Sequence, residues 1–129
     1  MTPIKLTLQG GLPFVPATIV HRGQQIRVEN VLVDTGSGGT VFAADDLAEV
    51  GILPEPADEL HRLSGIGGTE YVFSKTIDSL SVGRLSVDKF CIEVGALDYG
   101  FAIQGILGVD YLRAVGAVID LEQLTLHAN

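Results

Sequence analysis

The spacing of apolar residues limits the fold of this chain more than any other feature of its sequence. Apolar side chains recur at every second position in early runs that comprise Ile4, Leu6, Leu8, then Val15, Ala17, Ile19, and then Ile26, Val28 and residues 31–33. Turn-forming residues at 10–13 and 21–24 separate these runs, so turns recur at intervals of roughly 8 to 12 residues. Side chains alternate between the two faces of a strand, and short strands at this spacing are typical of small sandwiches and barrels. The sequence therefore predicts a mainly β fold.

Two short segments depart from the alternation and predict helices. Residues 43–50 carry acids near their start and are followed by Gly51, and residues 109–115 are followed by Gly116. Glycine directly after such a segment is typical of a helix end. Helices this short depend on packing for their stability, so we expect both to dock on the sheet. The remaining segments predict strands again, at 69–72, 77–82, 85–94 and 117–126.

Composition points to one folded domain over residues 1–129. The chain is 47% hydrophobic and 19% charged, which is enough apolar material for a packed core. Its sixteen glycines are spread among the turns, and no linker or shift in composition divides it. With 8 basic and 16 acidic residues the formal net charge is −8, and no cluster of Lys and Arg is present. Binding of a phosphate backbone needs such a cluster, so nucleic acid is excluded as a partner.

Several other classes of protein are also disfavoured. The longest apolar run is far shorter than the roughly 20 residues of a membrane helix, and the N-terminus lacks a secretory signal. We therefore expect a cytoplasmic protein without a membrane partner. Cys91 is the one cysteine, which excludes an internal disulfide, and we expect a buried and inert thiol. Since His21, His61 and His127 are dispersed without the spacing of metal ligands, we expect no metal and no other cofactor.

An acid in an unusual place is the first candidate for chemistry. Asp34 follows the apolar run 31–33 directly and is followed by Thr35, Gly36 and Ser37. A half-buried carboxylate must be paired or hydrogen-bonded, and a turn of this composition can point N–H groups and hydroxyls at it. The same residue types also form ordinary surface turns, so other segments have to decide between the two interpretations.

Two segments do so. Ile106, Leu107 and Gly108 form an apolar strand that runs into the second predicted helix, and a glycine-tipped hairpin lies between this strand and Asp34. An apolar strand ending in Asp-Thr-Gly, a glycine-rich hairpin and this second strand follow one another in the order found in the retropepsin-like aspartic peptidases. Over residues 15–127 the chain resembles this single-lobe family, and its cellular and bacterial members more than the viral ones. The resemblance implies a small closed β-barrel of the acid-protease lobe type, with a flap hairpin over about 61–73.

The resemblance also implies roles for individual residues. Asp34 would be the catalytic aspartate, Thr35 the residue that interlocks two catalytic turns, and Gly36 the turn glycine. The flap and the residues near the substrate would be Gly65, Ile66, Gly67, Gly68 and Tyr71. A pocket wall would be formed by Asp98, Ile106, Leu107 and Gly108. Asp98 suits a basic substrate side chain, although a solvated loop acid is the simpler interpretation.

The chemistry of such a site requires two chains. Peptide hydrolysis of this kind uses two carboxyls about 3 Å apart that share one proton. This chain has one Asp-Thr-Gly, and the acid at Asp120 lacks a glycine turn. Activity would therefore require a homodimer with one Asp34 from each subunit on the two-fold axis. A peptide or protein substrate would bind as an added strand beneath the flap.

Two questions stay open from the sequence. The hydroxyl of Ser37 either donates to Asp34, which would favour an acidic activity optimum, or bonds to the backbone of its own turn. The chain also departs from the viral pattern: Val109 and Asp110 follow Gly108 where an Arg is usual, and Arg113 in the next helical turn would replace that cation. The C-terminal end is short and rather polar. A non-catalytic peptide- or protein-binding module on the same fold is therefore the alternative function.

Other chemistries fail on spacing. No Gly-Lys-Ser/Thr follows the glycines at 36–39, and neither this turn nor residues 65–68 has the Gly-x-Gly-x-x-Gly spacing of a phosphate-binding loop. A Gly-x-Ser-x-Gly nucleophile elbow is missing as well, because Thr35 stands two residues before Ser37.

Overall fold

Strands dominate the structure. The computed structural model describes residues 2–65, 68–97 and 102–129. The strands are β1 (Ile4–Lys5), β2 (Thr7–Gln9), β3 (Leu12–His21), β4 (Gln24–Val33), β5 (Val41–Ala43), β6 (Leu60–Gly65), β7 (Gly68–Val82), β8 (Leu85–Gly95), β9 (Gly105–Leu107), β10 (Ala117–Asp120) and β11 (Thr125–Ala128). The helices are α1 (Ala44–Ala48) and α2 (Val109–Ala114). The prediction of a mainly β fold with two short helices is confirmed.

The large sheet closes on itself. Its strands follow the order β2-β3-β4-β9-β5-β8-β7-β6, and an additional pairing between β3 and β7 joins residues 18–20 to residues 79–81. Strands β3, β4, β9, β5, β8 and β7 therefore form a ring, with β2 and β6 attached outside it. The pairs β4–β9 and β5–β8 are parallel, and the other pairs in this sheet are antiparallel. This ring is the small barrel that the resemblance implied.

The core fills the ring with residues from alternate positions of its strands. Ile19 of β3 is fully buried and lies opposite Ile26 on one side and Leu80 on the other. Both helices dock on this core, as their length required, through Leu47 of α1 and Tyr111 of α2. Burial of such apolar side chains is the main stabilising contribution in a domain of this size.

Tyr111 carries a polar atom into this core. Its hydroxyl donates to the carbonyl of Leu85 at 2.6 Å, and burial raises the pKa of the Tyr111 hydroxyl. The phenol therefore stays protonated and hydrogen-bonded while α2 packs against the sheet.

A second, smaller sheet holds the two ends of the chain. Its order is β1-β11-β10, so β11 is paired on both sides. The prediction of one strand over 117–126 is wrong, because the chain turns back between β10 and β11. Asp120 Oδ1 accepts from the Gln123 N–H at 2.9 Å, and Leu124 has φ of 53°. A carboxylate that bonds the backbone a few residues on is a turn-forming device that periodicity does not reveal.

Two further expectations are corrected. Residues 69–72 and 77–82 belong to one continuous strand, β7. Cys91 is exposed rather than buried, because it lies on the outer side of β8 while its neighbour Ile92 points into the core. Partial burial and the nearby Glu93 carboxylate raise the pKa of the Cys91 thiol, so the thiol is protonated at neutral pH.

In the part of the chain that the structure describes, neither helix is long and apolar enough to cross a membrane.

Candidate active site

Asp34 stands directly at the end of β4, at the parallel pair of β4 and β9. Val33 lies opposite Leu107, and the N–H of Asp34 donates to the carbonyl of Leu107 at 3.0 Å. The side chain is half-buried. The N–H of Gly36 donates to Asp34 Oδ1 at 2.9 Å, so one carboxylate oxygen is held by the backbone of the turn. The carboxylate is therefore fixed in position at the edge of solvent, which is where a reacting acid has to be.

The turn itself depends on the absence of a side chain at Gly36. A Cβ built there would lie 3.1 Å from Asp34 Oδ1, and the Ser37 N–H donates to the Asp34 carbonyl at 3.2 Å. A side chain at this position would push on the carboxylate that the turn holds. The expected turn role of Gly36 thus has a direct geometric reason.

The structure distinguishes the two interpretations of Ser37. Its Oγ donates to the carbonyl of Gly39 at 2.7 Å. A hydroxyl has one proton to donate, and here that proton is directed to the backbone of its own turn. The argument for an acidic activity optimum from donation by Ser37 to Asp34 therefore finds no support.

A buried hydrogen-bond network joins the loop after Asp34 to the start of α2. Thr40 is 1% exposed, and its Oγ1 donates to Asp110 Oδ1 at 2.7 Å and accepts from the Gly108 N–H at 3.1 Å. The N–H groups of Thr40 and Tyr111 also donate to the Asp110 carboxylate, at 3.3 and 2.8 Å. Three of these hydrogen bonds thus join two segments that are about 70 residues apart in the chain, and the fourth holds the Asp110 carboxylate at the start of α2.

Backbone contact between these segments is equally close. The Val109 N–H donates to the carbonyl of Ser37 at 2.8 Å. A Cβ built on Gly108 would lie 2.4 Å from the carbonyl oxygen of Gly39 and 2.8 Å from that of Ser37. Since neither backbone has room to move, this position requires glycine. We call this assembly of residues 34–40 and 107–111 the catalytic-loop lock.

The sequence analysis missed the importance of Thr40 and Asp110. Asp110 was noted only as a departure from the viral pattern, and Thr40 was not noted. The signal was present, since each is a polar residue in an apolar setting: Thr40 precedes Val41 and Phe42, and Asp110 lies between Val109 and Tyr111. A polar side chain in such a setting needs a partner, but the sequence does not identify that partner.

A buried apolar cluster lies beside Asp34. Leu32 is two residues earlier on β4, so its side chain is on the same side of the strand as the Asp34 side chain. It belongs to a small buried cluster that is separate from the main core and comprises Phe14, Leu32, Ile103 and Ile106, with Leu97 packed against it. Ile106, one of the expected pocket-wall residues, belongs to this cluster, and its role in a pocket stays a prediction.

The other pocket-wall expectations have different outcomes. Leu107 is fully buried in the main core, because alternation along β9 turns its side chain away from that of Ile106. The expectation of a pocket-wall side chain at Leu107 is corrected, and its carbonyl instead supports Asp34. Gly108 belongs to the catalytic-loop lock. Asp98 lies outside the described residues.

The expected flap is present as the hairpin of β6 and β7. The strands pair from Leu60 and Phe73 out to Gly65 and Gly68. Ile66 and Gly67, the expected tip residues, lie outside the described residues. Tyr71 is 63% exposed and shares a side of β7 with Phe73, which packs in the core. Tyr71 therefore extends the inner side of the hairpin beyond the core, as a residue near substrate would.

Charged side chains attach the base of this hairpin. Lys75 of β7 contacts Glu55 and lies 2.8 Å from Asp58 Oδ2, and Arg22 lies 3.1 Å from Glu55. Hydrogen bonds from Lys75 lower the pKa of Glu55 and the pKa of Asp58. Burial opposes ionisation of Lys75, but hydrogen bonds to Asp58 and Glu55 outweigh it and raise its pKa. The three groups are therefore ionised together at neutral pH.

A second polar connection crosses the outer side of the hairpin. Ser74 Oγ donates to Glu93 Oε2 at 3.0 Å and lies 2.9 Å from His61 Nε2. Because the hydroxyl proton is used toward Glu93, the Nε2–H of His61 donates to Ser74. All three side chains are partly exposed. Within residues 2–65, 68–97 and 102–129, no group of three or more His, Cys, Asp and Glu residues could hold a metal ion.

Comparison with known proteins agrees with this geometry. Among solved structures the chain is similar to a retropepsin-like aspartic protease from Rickettsia conorii, with a TM-score of 0.68 and 19% sequence identity, over 98% of this chain and 97% of that one. At this identity the likeness shows the fold, which is the retropepsin-like fold. A search of curated proteins found no match. The family model described as "Aspartyl protease" matches residues 15–111, and the chain belongs to that family.

Proposed function

We propose that this chain is an aspartic endopeptidase that works as a cytoplasmic homodimer of a single domain, with one Asp34 from each subunit at the reacting centre. The observation that carries the proposal is the placement of Asp34. Its carboxylate sits at the edge of solvent, one oxygen is held by the Gly36 N–H at 2.9 Å, and the surrounding loops are fixed by buried hydrogen bonds. Family membership supports the same reaction class.

The mechanism needs one carboxylate and one carboxylic acid. The ionised Asp34 accepts a proton from a water molecule placed between the subunits, and this water attacks the carbonyl carbon of the peptide. The protonated Asp34 of the partner donates to the carbonyl oxygen at the same time. Two carboxyls at about 3 Å share one proton because both cannot be ionised together. An Asp34 carboxyl then donates a proton to the leaving amine as the C–N bond breaks.

The substrate is an extended peptide with an apolar side chain near the cleaved bond. Leu32, Ile103 and Ile106 belong to a largely buried apolar cluster on the Asp34 side of the strand, and a substrate side chain that covers its remaining exposed area would gain binding energy. Tyr71 and the flap residues Gly65, Ile66, Gly67 and Gly68 would cover the bound peptide. Thr35 and Ser37 would hold the catalytic turn, and Asp98 would contribute to the pocket wall.

The first experiment compares wild type with Asp34→Asn on a peptide library, with products read by mass spectrometry. Loss of the general base or acid should lower kcat/KM by about 10² to 10⁴-fold while the fold is kept. The matched control is Asp78→Asn, which changes an exposed carboxylate on β7 and should cleave like wild type. Equal activity of Asp34→Asn and wild type would refute the proposal.

Mixed dimers test whether the two Asp34 residues share one site. When equal amounts of wild-type and Asp34→Asn subunits exchange freely, about one quarter of the dimers hold two intact Asp34 residues. Activity should then fall to that fraction of an equal amount of wild-type dimer. A value near one half would mean that each subunit acts alone. Peptide binding without cleavage by any form of the chain would favour the alternative of a non-catalytic binding module.

A further inference from the structure

We propose that Glu93 of β8 selects a lysine or arginine side chain of the substrate, at about the fourth residue from the cleaved bond. This inference rests on the proposed function and names the class of peptide that the site takes, which is apolar at the cleaved bond and basic further out. The position of Glu93 in the sheet, its hydrogen bonding and the charges around it support the inference.

Pairing across the sheet places Glu93 on the same side as the apolar cluster beside Asp34. Leu32 is in register with Ile106, and Ile106 is also in register with Val41. Val41 is in turn in register with Glu93. Residues in register on neighbouring strands have their side chains on the same side of a sheet. This row therefore leads from the residue two positions before Asp34 to Glu93 without a change of side.

Burial agrees with this placement. Ile92 and Val94, the neighbours of Glu93 along β8, are fully buried in the main core, so the side chain of Glu93 points out of the ring. Glu93 itself is half-buried. Leu32 likewise lies outside the main core, in the smaller cluster. Both side chains are thus on the outer side of the ring, which is also the side of the Asp34 carboxylate.

The length of the row determines which substrate residue reaches Glu93. Neighbouring strands are about 4.8 Å apart, so the steps from Leu32 over β9 and β5 to Glu93 span about 14 Å. Residues four positions apart in an extended peptide are separated by about 13 Å and point to the same side. A basic residue about four positions from the cleaved bond therefore reaches Glu93. In a two-fold dimer each subunit supplies its own Glu93, so one such position lies on each side of the bond.

The Glu93 carboxylate is held in place and can accept a further donor. Its Oε2 accepts from the Ser74 hydroxyl at 3.0 Å. Among residues 2–65, 68–97 and 102–129, no Lys or Arg forms an ion pair with Glu93. A carboxylate accepts more than one hydrogen bond, and bonds from a cationic donor are the stronger ones. A lysine or arginine of the substrate would supply the cation that the described part of the chain does not.

Other carboxylates make the surroundings of Glu93 negative. Cys91 lies two positions before Glu93, on the same side of β8. Partial burial raises the pKa of its thiol most, and the negative charges of Glu93, Asp110 and Glu59 raise it further. The same charges attract a cationic side chain, and the net charge of −8 steers basic peptides toward the chain.

The test measures peptide binding to the Asp34→Asn protein, so its result does not depend on cleavage. The probes are two fluorescein-labelled octapeptides with leucine at the two central positions and alanine elsewhere, one with lysine and one with glutamine at both ends. We expect fluorescence anisotropy to show about tenfold tighter binding of the lysine peptide, and we expect added salt to reduce this preference.

Glu93→Gln, added to Asp34→Asn, keeps the shape of the side chain and an acceptor for Ser74 but removes the charge. It should reduce the preference for lysine to about twofold or less. The matched control is Asp88→Asn, which removes one charge from an exposed position of the same strand and should keep the full preference. In the protein with an intact Asp34, Glu93→Gln should lower kcat/KM about tenfold for the lysine peptide and leave it unchanged for the glutamine peptide.

The outcomes separate this inference from the proposed function. A lysine preference that is absent, that survives Glu93→Gln, or that Asp88→Asn lowers equally would overturn the role of Glu93 and leave the peptidase proposal untouched. Binding of neither peptide would also overturn the role of Glu93. A preference that depends on Glu93, in a chain whose wild type cleaves no peptide, would keep the role of Glu93 and refute the proposed function.

Discussion

The catalytic-loop lock and the flap hairpin are attached to the same barrel by opposite means. The lock uses buried groups: Thr40 is 1% exposed, and Gly108 touches the backbone of Gly39. The hairpin is attached by side-chain contacts that reach the surface: the buried Lys75 pairs with the partly exposed Glu55, and His61 bonds to Ser74, both partly exposed. Close backbone contact allows one arrangement, whereas side-chain pairs with one partner in contact with water exchange more readily.

The difference matches what each region has to do. In the proposed function, the Asp34 carboxylate shares a proton with its copy and tolerates little displacement, which agrees with a loop built from contacts that have one arrangement. In the proposed function the flap opens to admit a peptide and closes again, and side-chain contacts with partly exposed partners at its base allow more movement than close backbone contact does. Substitutions in the lock should therefore lower the stability of the whole domain, whereas substitutions at the flap base should have smaller and more local effects.

The largest effect is expected from Gly108→Ala. The new Cβ would lie 2.4 Å from the Gly39 carbonyl oxygen, and both contact partners are backbone atoms that cannot rotate away. We expect the free energy of unfolding to fall by about 3 kcal/mol or more, with loss of any peptidase activity. Urea denaturation measures this. The control is Gly38→Ala, where a Cβ meets nothing within 4 Å, and an equal loss in both variants would contradict the lock.

Thr40→Val should have the next largest effect. Valine keeps the shape but removes a hydroxyl that donates to Asp110 and accepts from the Gly108 N–H, which leaves buried groups without partners. The expected loss in the free energy of unfolding is about 2 kcal/mol. Thr76→Val removes an exposed hydroxyl from β7 and should change stability by less than about 0.5 kcal/mol. Similar values for the two variants would show that the network contributes nothing.

Lys75→Met should act on the flap base and leave the lock unchanged. The variant removes the partner of Glu55 and Asp58, so amide hydrogen exchange should become several-fold faster in residues 53–62 and stay unchanged around Asp34. Lys5→Met, an exposed lysine on β1, is the control. Faster exchange around Asp34 in Lys75→Met would contradict the separation of the two regions.

The ion pairs of Lys75 also predict how the stability of the folded chain depends on pH. Because the pKa values of Glu55 and Asp58 are lowered in the folded chain, their stabilising effect is present above their unfolded pKa values and is lost as pH falls through the lowered ones. The difference between wild type and Lys75→Met should therefore shrink in acid below that range. The raised pKa of Lys75 extends the effect at alkaline pH until that lysine loses its proton. A stability difference between the two proteins that grows in acid would refute the stabilising role of these ion pairs.

Ser37→Ala should have the smallest effect. Its hydroxyl donates to Gly39, and loss of this partly buried hydrogen bond should lower stability by about 0.5 to 1 kcal/mol. The acid limb of the peptidase pH profile should not move, since the hydroxyl does not donate to Asp34. A shift of the acid limb would instead support donation from the Ser37 hydroxyl to Asp34.

Local patterns were sufficient to predict both helices, the strands β3, β4 and β8, and the position of Asp34 at the end of β4. Alternation is a property of neighbouring residues, and an acid after an apolar run is visible without a partner. The partner of Asp110 could not be predicted, because it lies 70 residues away and depends on the parallel pairing of β4 and β9. Cys91 shows a different failure. The alternation of Phe90, Ile92 and Val94 predicts an outward position for Cys91, and the usual burial of cysteine was given more weight.

The closed ring also has a consequence for how the chain acquires its structure. β4 meets β9 through bonds such as that between Asn30 and Gln104, which are 74 residues apart. Chains rich in such distant contacts fold slowly, on the order of milliseconds to seconds. During synthesis, β3 and β4 emerge long before β9, and their unpaired edges are open to other chains until it arrives. Overproduction of this protein should therefore cause aggregation through incomplete barrels, and slower synthesis at lower temperature should reduce it.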